Sequence, residues 1–433
     1  MTDSKPNLGA LLKTGMERLL TAEYGSCIAP PAYVTKTGIR HLDALLGGGL
    51  SSSLPIMLSS TPETGKSTFC FTFAKQFLDS HENGVVVYLD IEGASECADS
   101  DYGSRSESFG LDPDRFLYKP IVLNVKQVFD TIKQFAEAKK QFEDKSGKPF
   151  HVLIIWDSLA ASGSSKDADA EDHNQVIGFK AREISHMLSH HKSTMVMSQI
   201  TTLIVDQVRA NIKIESRFVT ADDKTVGEFS GFRSATNINS LQHNIKQWIY
   251  LSKGKLLYPN DGLGVDGWEL NLNTVKNKLA PSQVDVTCVF DKKFGIIPVL
   301  SEYVFMRDMT KTEKKRTKND PKKLSYPLAV GVEGRSKVIS VIDLNGNVIV
   351  KSPKFTEKNL LNLYYSDADF KKIFDKALEL SIEGRIKEGL FRVPHQESEQ
   401  PQSVQVEAVK TEPKIAYTEE GEPYDPETGE ILS

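Results

Sequence analysis

The stretch Ser60-Thr61-Pro62-Glu63-Thr64-Gly65-Lys66-Ser67-Thr68 carries the groups needed to hold a polyphosphate. A lysine in this position reaches β- and γ-phosphates, and the hydroxyl after it can ligate the Mg²⁺ that travels with them. Gly65 lets the backbone come close, because no Cβ intervenes. Such loops usually open on glycine. Here Ser60 stands in that place, which predicts a wider or slightly strained turn. A second candidate ends the run His151-Val152-Leu153-Ile154-Ile155-Trp156-Asp157-Ser158. A carboxylate at the C-terminal end of a strand beside a phosphate loop can hold Mg²⁺ through a coordinated water. Taken alone, Asp157 would be a turn-forming residue; downstream of Lys66-Ser67 it reads as a metal ligand.

Two further groups of side chains point to anions. Lys276 and Lys278, in Val275-Lys276-Asn277-Lys278-Leu279-Ala280-Pro281, are separated by one residue at a strand end and so point the same way. They are either solvated charges or a surface for an anion. The long polar stretch 201–235 holds Arg209, Lys213, Arg217 and Arg233 with Phe218, Phe229 and Phe232 between them. Basic residues with interleaved aromatics suit single-stranded nucleic acid, where phosphates need charge and bases need stacking partners. Composition alone leaves a structureless insertion equally open. Lys166 lies in another polar stretch, 163–173, amid acidic residues.

These groups need particular elements to position them. Leu54–Ser59 reads as a buried strand and Phe69–Leu78 as a buried helix, which puts the phosphate loop at a strand-to-helix turn where amides and the positive helix end face the ligand. Gly84–Asp90 and His151–Asp157 are near-continuous apolar runs, as strands buried on both faces of a parallel sheet are. Val125–Lys140 and Gln175–Leu188 read as helices. Thr194–Gln199 reads as a further strand with Gln199 at its end, and strands resume at Lys246–Leu251, Trp268–Asn273 and Val284–Phe290. Thr37–Leu46 reads as a short helix stopped by Gly47-Gly48-Gly49. Residues 1–25 show one apolar helical stripe. Toward the C-terminus come a basic run at 311–323, a hairpin over Val338–Val350 and an amphipathic helix over Phe370–Ile386. From about residue 396 the chain is acidic and rich in Gln, Glu and Pro, the composition of a disordered tail.

The chain has 433 residues and a formal net charge of −5, so it is no electrostatic magnet for nucleic acid as a whole. Cys27, Cys70, Cys97 and Cys288 are scattered without a CxxC pair, so neither a zinc site nor a disulfide framework is suggested. No apolar run reaches transmembrane length and no signal-peptide pattern is visible, so a cytoplasmic location and no membrane partner are expected.

In order, these segments resemble the RecA family of DNA recombinases, above all its phage UvsX-type branch. The resemblance runs over roughly residues 20–300. It is carried by Thr37–Gly49, Pro-Glu-Thr-Gly-Lys-Ser-Thr, Tyr-Leu-Asp-Ile-Glu, Ile-Ile-Trp-Asp-Ser-Leu-Ala, Met-Ser-Gln-Ile and Val-Lys-Asn-Lys-Leu-Ala-Pro. Leu20-Thr21-Ala22 and Val34-Thr35-Lys36 carry the likeness to the phage branch. It implies an α/β fold: a RecA-like P-loop ATPase core with a mostly parallel central sheet over 37–305. An N-terminal polymerisation segment over 1–36 precedes it. A smaller α+β region over 306–395 and a disordered acidic tail over 396–433 follow. The implied activity is DNA-dependent ATP hydrolysis with Mg²⁺. It would serve recombination and repair by a homo-oligomeric helical filament on single-stranded DNA that exchanges strands with a duplex, helped by single-strand-binding and mediator proteins. A bacterial host cytoplasm would be the setting if the chain is phage-encoded.

Residue roles follow from the same resemblance. Glu92 would be the general base and Gln199 the sensor of the γ-phosphate. Lys276 and Lys278 would reach across a subunit interface to a neighbour's phosphates. Residues 161–173 and 201–235 would be the DNA-binding loops, and Tyr102 would stack on adenine. The chain departs from the family in Ser60, in an expanded spacing between Glu92 and Gly110, and in a longer second loop. Two other readings stand beside this one: a ring-forming helicase or clock-type ATPase on the same core, and a filament scaffold that has lost hydrolysis.

Overall fold

Alternation along the apolar runs decides the layering. In the computed structural model Ile56, Leu58, Val86, Tyr88, Leu153, Ile155, Leu203 and Val205 point into one buried cluster. Met57, Val87, Leu89, Val152, Ile154, Trp156 and Ile204, from the same strands, point into a second cluster. Successive side chains on a strand face opposite ways, so a strand apolar at every position must be covered on both sides. Each large side chain removed from water in this way contributes about 1.5–3 kcal/mol. The structure describes residues 25–93, 104–165, 173–207, 243–257, 266–317, 330–333, 336–342, 347–392, 416–417 and 423–424, with isolated positions at 13, 16, 18 and 21.

The chain divides into two units, Met1–Pro394 and His395–Ser433. In the first, β1 (Val34–Thr35) precedes α1 (Arg40–Leu46), β2 (Leu50–Ser51), β3 (Ile56–Ser60), α2 (Lys66–Ser80) and β4 (Gly84–Asp90). Next come α3 (Arg105–Ser108), β5 (Phe116–Pro120), α4 (Val125–Ser146), β6 (His151–Asp157), α5 (His173–His190), α6 (Lys192–Ser198) and β7 (Thr201–Gln207). Then follow β8 (Gln247–Leu257), β9 (Gly267–Asn277), β10 (Asp285–Asp291), β11 (Gly295–Ile296) and α7 (Pro298–Thr317). A nine-stranded sheet has the order β11-β10-β9-β8-β3-β7-β6-β4-β5. From β8 to β5 the strands run parallel, and β9, β10 and β11 extend the sheet antiparallel.

A smaller region closes the unit: a three-stranded sheet of β12 (Val330–Glu333), β13 (Ser336–Ile342) and β14 (Val348–Lys351), then α8 (Leu360–Ser366) and α9 (Ala368–Lys387). The hairpin expected over Val338–Val350 is the β13–β14 pair. Phe355, Phe370 and Phe374 join the same cluster as the core helices, so this region shares the core's apolar interior. Arg40 of α1 ties it further: its guanidinium donates to Glu302 of α7 at 2.7 and 2.8 Å and to Asp375 of α9 at 2.8 Å. In the second unit Ala416–Tyr417 pairs antiparallel with Pro423–Tyr424.

Three sequence expectations change. Thr194–Gln199 is not a strand; Lys192–Ser198 is helix α6, and the strand beside β3 is Thr201–Gln207. A short apolar run does not distinguish helix from strand. The polar stretch expected from residue 201 therefore begins only after Gln207. The first part of the basic run, from residue 311 to 317, forms about the last two turns of α7, and that helix runs through the position where core and C-terminal region were divided. The N-terminal stripe lies almost wholly outside the described residues, as does most of the acidic tail.

Candidate functional site

Strand register gathers the polar residues at one end of the sheet. Ser60, the last residue of β3, pairs with Gln207, the last of β7. Asp157 ends β6 opposite Asp90, the last residue of β4, and Glu92 lies just beyond. Ligands of open α/β sheets bind at these carboxyl ends. A cavity of about 440 Å³ sits there, lined by Pro62–Thr68, Glu92, Arg105, Asp157, Gln207, Trp268, Phe290 and Lys292.

The phosphate loop takes the expected strand-to-helix form. Gly65 has φ 111°, and a Cβ there would meet the Phe290 ring at 2.8 Å, so glycine is required on both counts. Ser60 does not disrupt the turn. Its hydroxyl donates to Thr61 O at 2.7 Å and accepts from Lys66 Nζ at 3.0 Å. Lys66 also donates to Thr61 O at 3.0 Å. Burial pulls its ammonium below the ordinary lysine value, while the Asp157 and Glu92 carboxylates hold it up.

Ser67 Oγ donates to Asp157 Oδ2 at 2.9 Å, and Tyr88 OH donates to the same oxygen at 2.6 Å. Asp157 is 3% exposed. A hydroxyl and a carboxylate side by side beneath the loop form a hard-oxygen pair that fits Mg²⁺ and would suit few softer ions. Glu92 accepts on Oε1 from Ser158 Oγ and, at 2.7 Å, from Gln207 Nε2.

Gln199 is not at this site. It caps α6 in the left-handed conformation at the opposite end of β7, 6% exposed. Ser52 Oγ donates to its Oε1 at 2.7 Å, and its Nε2 donates to Pro30 O and Val196 O. The amide at the cavity is Gln207. Its signal in the sequence is weak: Thr201–Gln207 holds the short apolar core Leu203-Ile204-Val205 before Asp206 and Gln207, close behind the apolar positions that precede Gln199.

Lys276 and Lys278 do not line the cavity. Lys276 pairs with Trp248, and Lys278 N donates to Lys246 O, so both lie toward the other end of β8. Lys246 and Lys276 are both pulled below the ordinary lysine value, by burial first and then by Lys278. Tyr102 and the candidate nucleic-acid residues Lys166, Arg209, Lys213, Arg217, Phe218, Phe229, Phe232 and Arg233 lie outside the described residues. Arg105, Trp268, Phe290 and Lys292 line the cavity without having been singled out in the sequence; the sheet brings the last three from far along the chain.

Comparison with known proteins now bears on this geometry. The family described as "ATPase: KaiC" matches residues 35–148. The chain is similar to the DNA repair and recombination protein RadB of Pyrococcus abyssi, 28% identical over 151 residues, 34% of this chain and 61% of that one. RadB of Pyrococcus horikoshii gives 28% over 153 residues, 34% and 62%. Protein RecA of Malacoplasma penetrans gives 26% over 282 residues, 63% of this chain and 75% of that one. The chain thus spans less than two thirds of the length of the two RadB proteins. Its core is a RecA-like P-loop ATPase domain built on a large, mostly parallel sheet. Among the described residues no helix is long and apolar enough to cross a membrane.

Proposed function

We propose that the chain is an ATP-dependent recombinase that forms a helical filament on single-stranded DNA and exchanges strands with a duplex. The observation that carries this reading is the separation of its lysines. Lys66 lies in the cavity, whereas Lys276 and Lys278 lie toward the other end of the sheet. A pocket completed by a second copy uses both groups. A head-to-tail contact of this kind generates an open helix when its rotation does not close. Similarity to two proteins named for DNA repair and recombination supports the same reading.

In this scheme Lys66 and the loop amides bind the β- and γ-phosphates, and Ser67 and Asp157 hold Mg²⁺. Held by Ser67 and Asp157, such an ion would supply neutralisation of the charge on the phosphate oxygens. Glu92 takes the proton of the attacking water on its carboxylate. Gln207 replaces Gln199 as the residue that reports the γ-phosphate. Its hydrogen bond to Glu92 Oε1 links the proposed catalytic carboxylate to the root of the part of the 201–235 stretch, the proposed DNA-binding loop, that follows Gln207. Lys276 and Lys278 stabilise charge on the neighbour's transferring phosphoryl group. Assignment to the phage UvsX-type branch rests on Leu20-Thr21-Ala22 and Val34-Thr35-Lys36 and is part of this proposal.

ATP hydrolysis with and without single-stranded DNA tests the reading, on the native chain and on a Lys276→Ala/Lys278→Ala variant. DNA stimulation that disappears in the variant supports it; stimulation that survives sinks the shared site. A ring-forming ATPase is the second reading, favoured by the match to the KaiC description. Electron microscopy with ATP and DNA separates them, as closed rings against open filaments.

A further inference from the structure

We infer that Trp268 is a positioning residue for the phosphate loop, held in place by the antiparallel extension of the sheet. This rests on the nucleotide reading of the cavity. The Trp268 indole N–H donates to Thr64 O at 3.2 Å. A trans peptide is planar, with its C=O and N–H pointing opposite ways. Holding the Thr64 carbonyl on Trp268 therefore also fixes the direction of the Gly65 N–H, which points to the other side of that peptide within the phosphate loop.

The indole is itself fixed. It stacks on Phe290 with centroids 4.4 Å apart and planes at 23°, and the two residues are cross-strand partners on β9 and β10. The Lys253 ammonium lies over the indole, 4.6 Å from its centroid. Phe290 also packs against Gly65, at the spot where any side chain on that residue would collide. Both rings are nearly buried, Trp268 at 7% and Phe290 at 2%, and both line the cavity. They come from strands outside the strand–loop–helix unit that defines a phosphate loop. Both rings therefore pack against the loop while forming part of the cavity wall.

The test is Mg-ADP binding and steady-state ATP hydrolysis by Trp268→Phe, which keeps the stacked ring and removes the donor. Loss of one neutral hydrogen bond weakens binding and raises KM by about twofold to tenfold. The value of kcat and the thermal midpoint stay near those of the native chain. Trp268→His, which retains a ring N–H, recovers part of the affinity. Native affinity in Trp268→Phe, or a fall in kcat and thermal midpoint without a change in KM, overturns the inference while leaving nucleotide binding intact. If the native chain binds no nucleotide, the reading of the cavity fails and this inference fails with it. Should Trp268→Phe not fold, fluorine NMR of the native chain carrying fluorotryptophan decides. The Trp268 resonance, assigned by exclusion with Trp156→Phe and Trp248→Phe, must shift on adding Mg-ADP; an unmoved resonance overturns the inference.

Discussion

One carboxylate oxygen, Glu92 Oε1, receives both the Ser158 hydroxyl and the Gln207 amide. In its proposed role as general base, Glu92 held this way would be oriented before any water arrives. Glu92→Gln is expected to bind nucleotide normally and to turn over at least tenfold more slowly, since a general base typically contributes about 10²–10⁴-fold. Single-turnover hydrolysis checks it, and normal turnover would assign the base elsewhere. Gln207→Ala should remove DNA stimulation and leave ATP binding intact, whereas Gln199→Ala should lower stability through its bonds to Ser52 and Pro30. The loop and Asp157 were legible in the sequence because their partners are local in pattern: strand, turn, helix, or strand and carboxylate. Gln207 was misplaced because two apolar runs lay side by side and only packing chose between them. Trp268 and Phe290 carry no local signal, since their relation to Thr64 and Gly65 exists only once β9 and β10 join the sheet.

At the scale of elements, the short strand β1 is docked by aromatic contacts beneath the sheet. Tyr33 meets His81 and His151 edge-on, and the two imidazoles stack 4.1 Å apart. Thr201 Oγ1 donates to Tyr33 OH, and Thr35 Oγ1 is 2.9 Å from His81 Nε2. Burial first, then His151 and Arg115, lowers His81 to about 4. His151 is lowered as well, by burial first and then by Lys139, with Glu143 opposing. A base depressed on folding contributes stability above its ordinary value of 6.5, lost as pH falls through about 4. Chemical denaturation should therefore show a steep loss of stability over that interval, with β1 released, and a shallower acid limb in His81→Gln. Equal slopes would show that other groups control the acid transition. The sequence marked 33–35 as extended, but the histidines that hold it come from the end of α2 and the start of β6.

On the scale of the whole molecule, the proposed shared site makes a prediction that no single-chain enzyme meets. Lys66→Ala lacks its own phosphate lysine but keeps Lys276 and Lys278 for a neighbour. Lys276→Ala/Lys278→Ala has the reverse lesion. Each alone should be inactive. Mixed in equal amounts they should regain roughly a quarter of native DNA-stimulated hydrolysis, because in a head-to-tail contact one interface in that proportion pairs two intact halves. A mixture no more active than its components would place catalysis within one chain. The parallel core was readable from continuous apolar runs, and the order of the motifs pointed to the assembly. The lysines' position relative to the cavity was not readable, because it depends on β9 running antiparallel to β8.

That strand has a mechanical meaning. β9 is 11 residues long, roughly 35 Å from end to end. Near its start Trp268 bonds the loop of its own pocket, and near its finish lies Lys276, with Lys278 just beyond. In a filament of the proposed kind, one stiff rod would touch two successive nucleotides. A displacement of the loop in one protomer would then be a displacement of the cation offered to the next. Hydrolysis would carry a direction along the fibre, handed from pocket to pocket in the sense in which β9 runs.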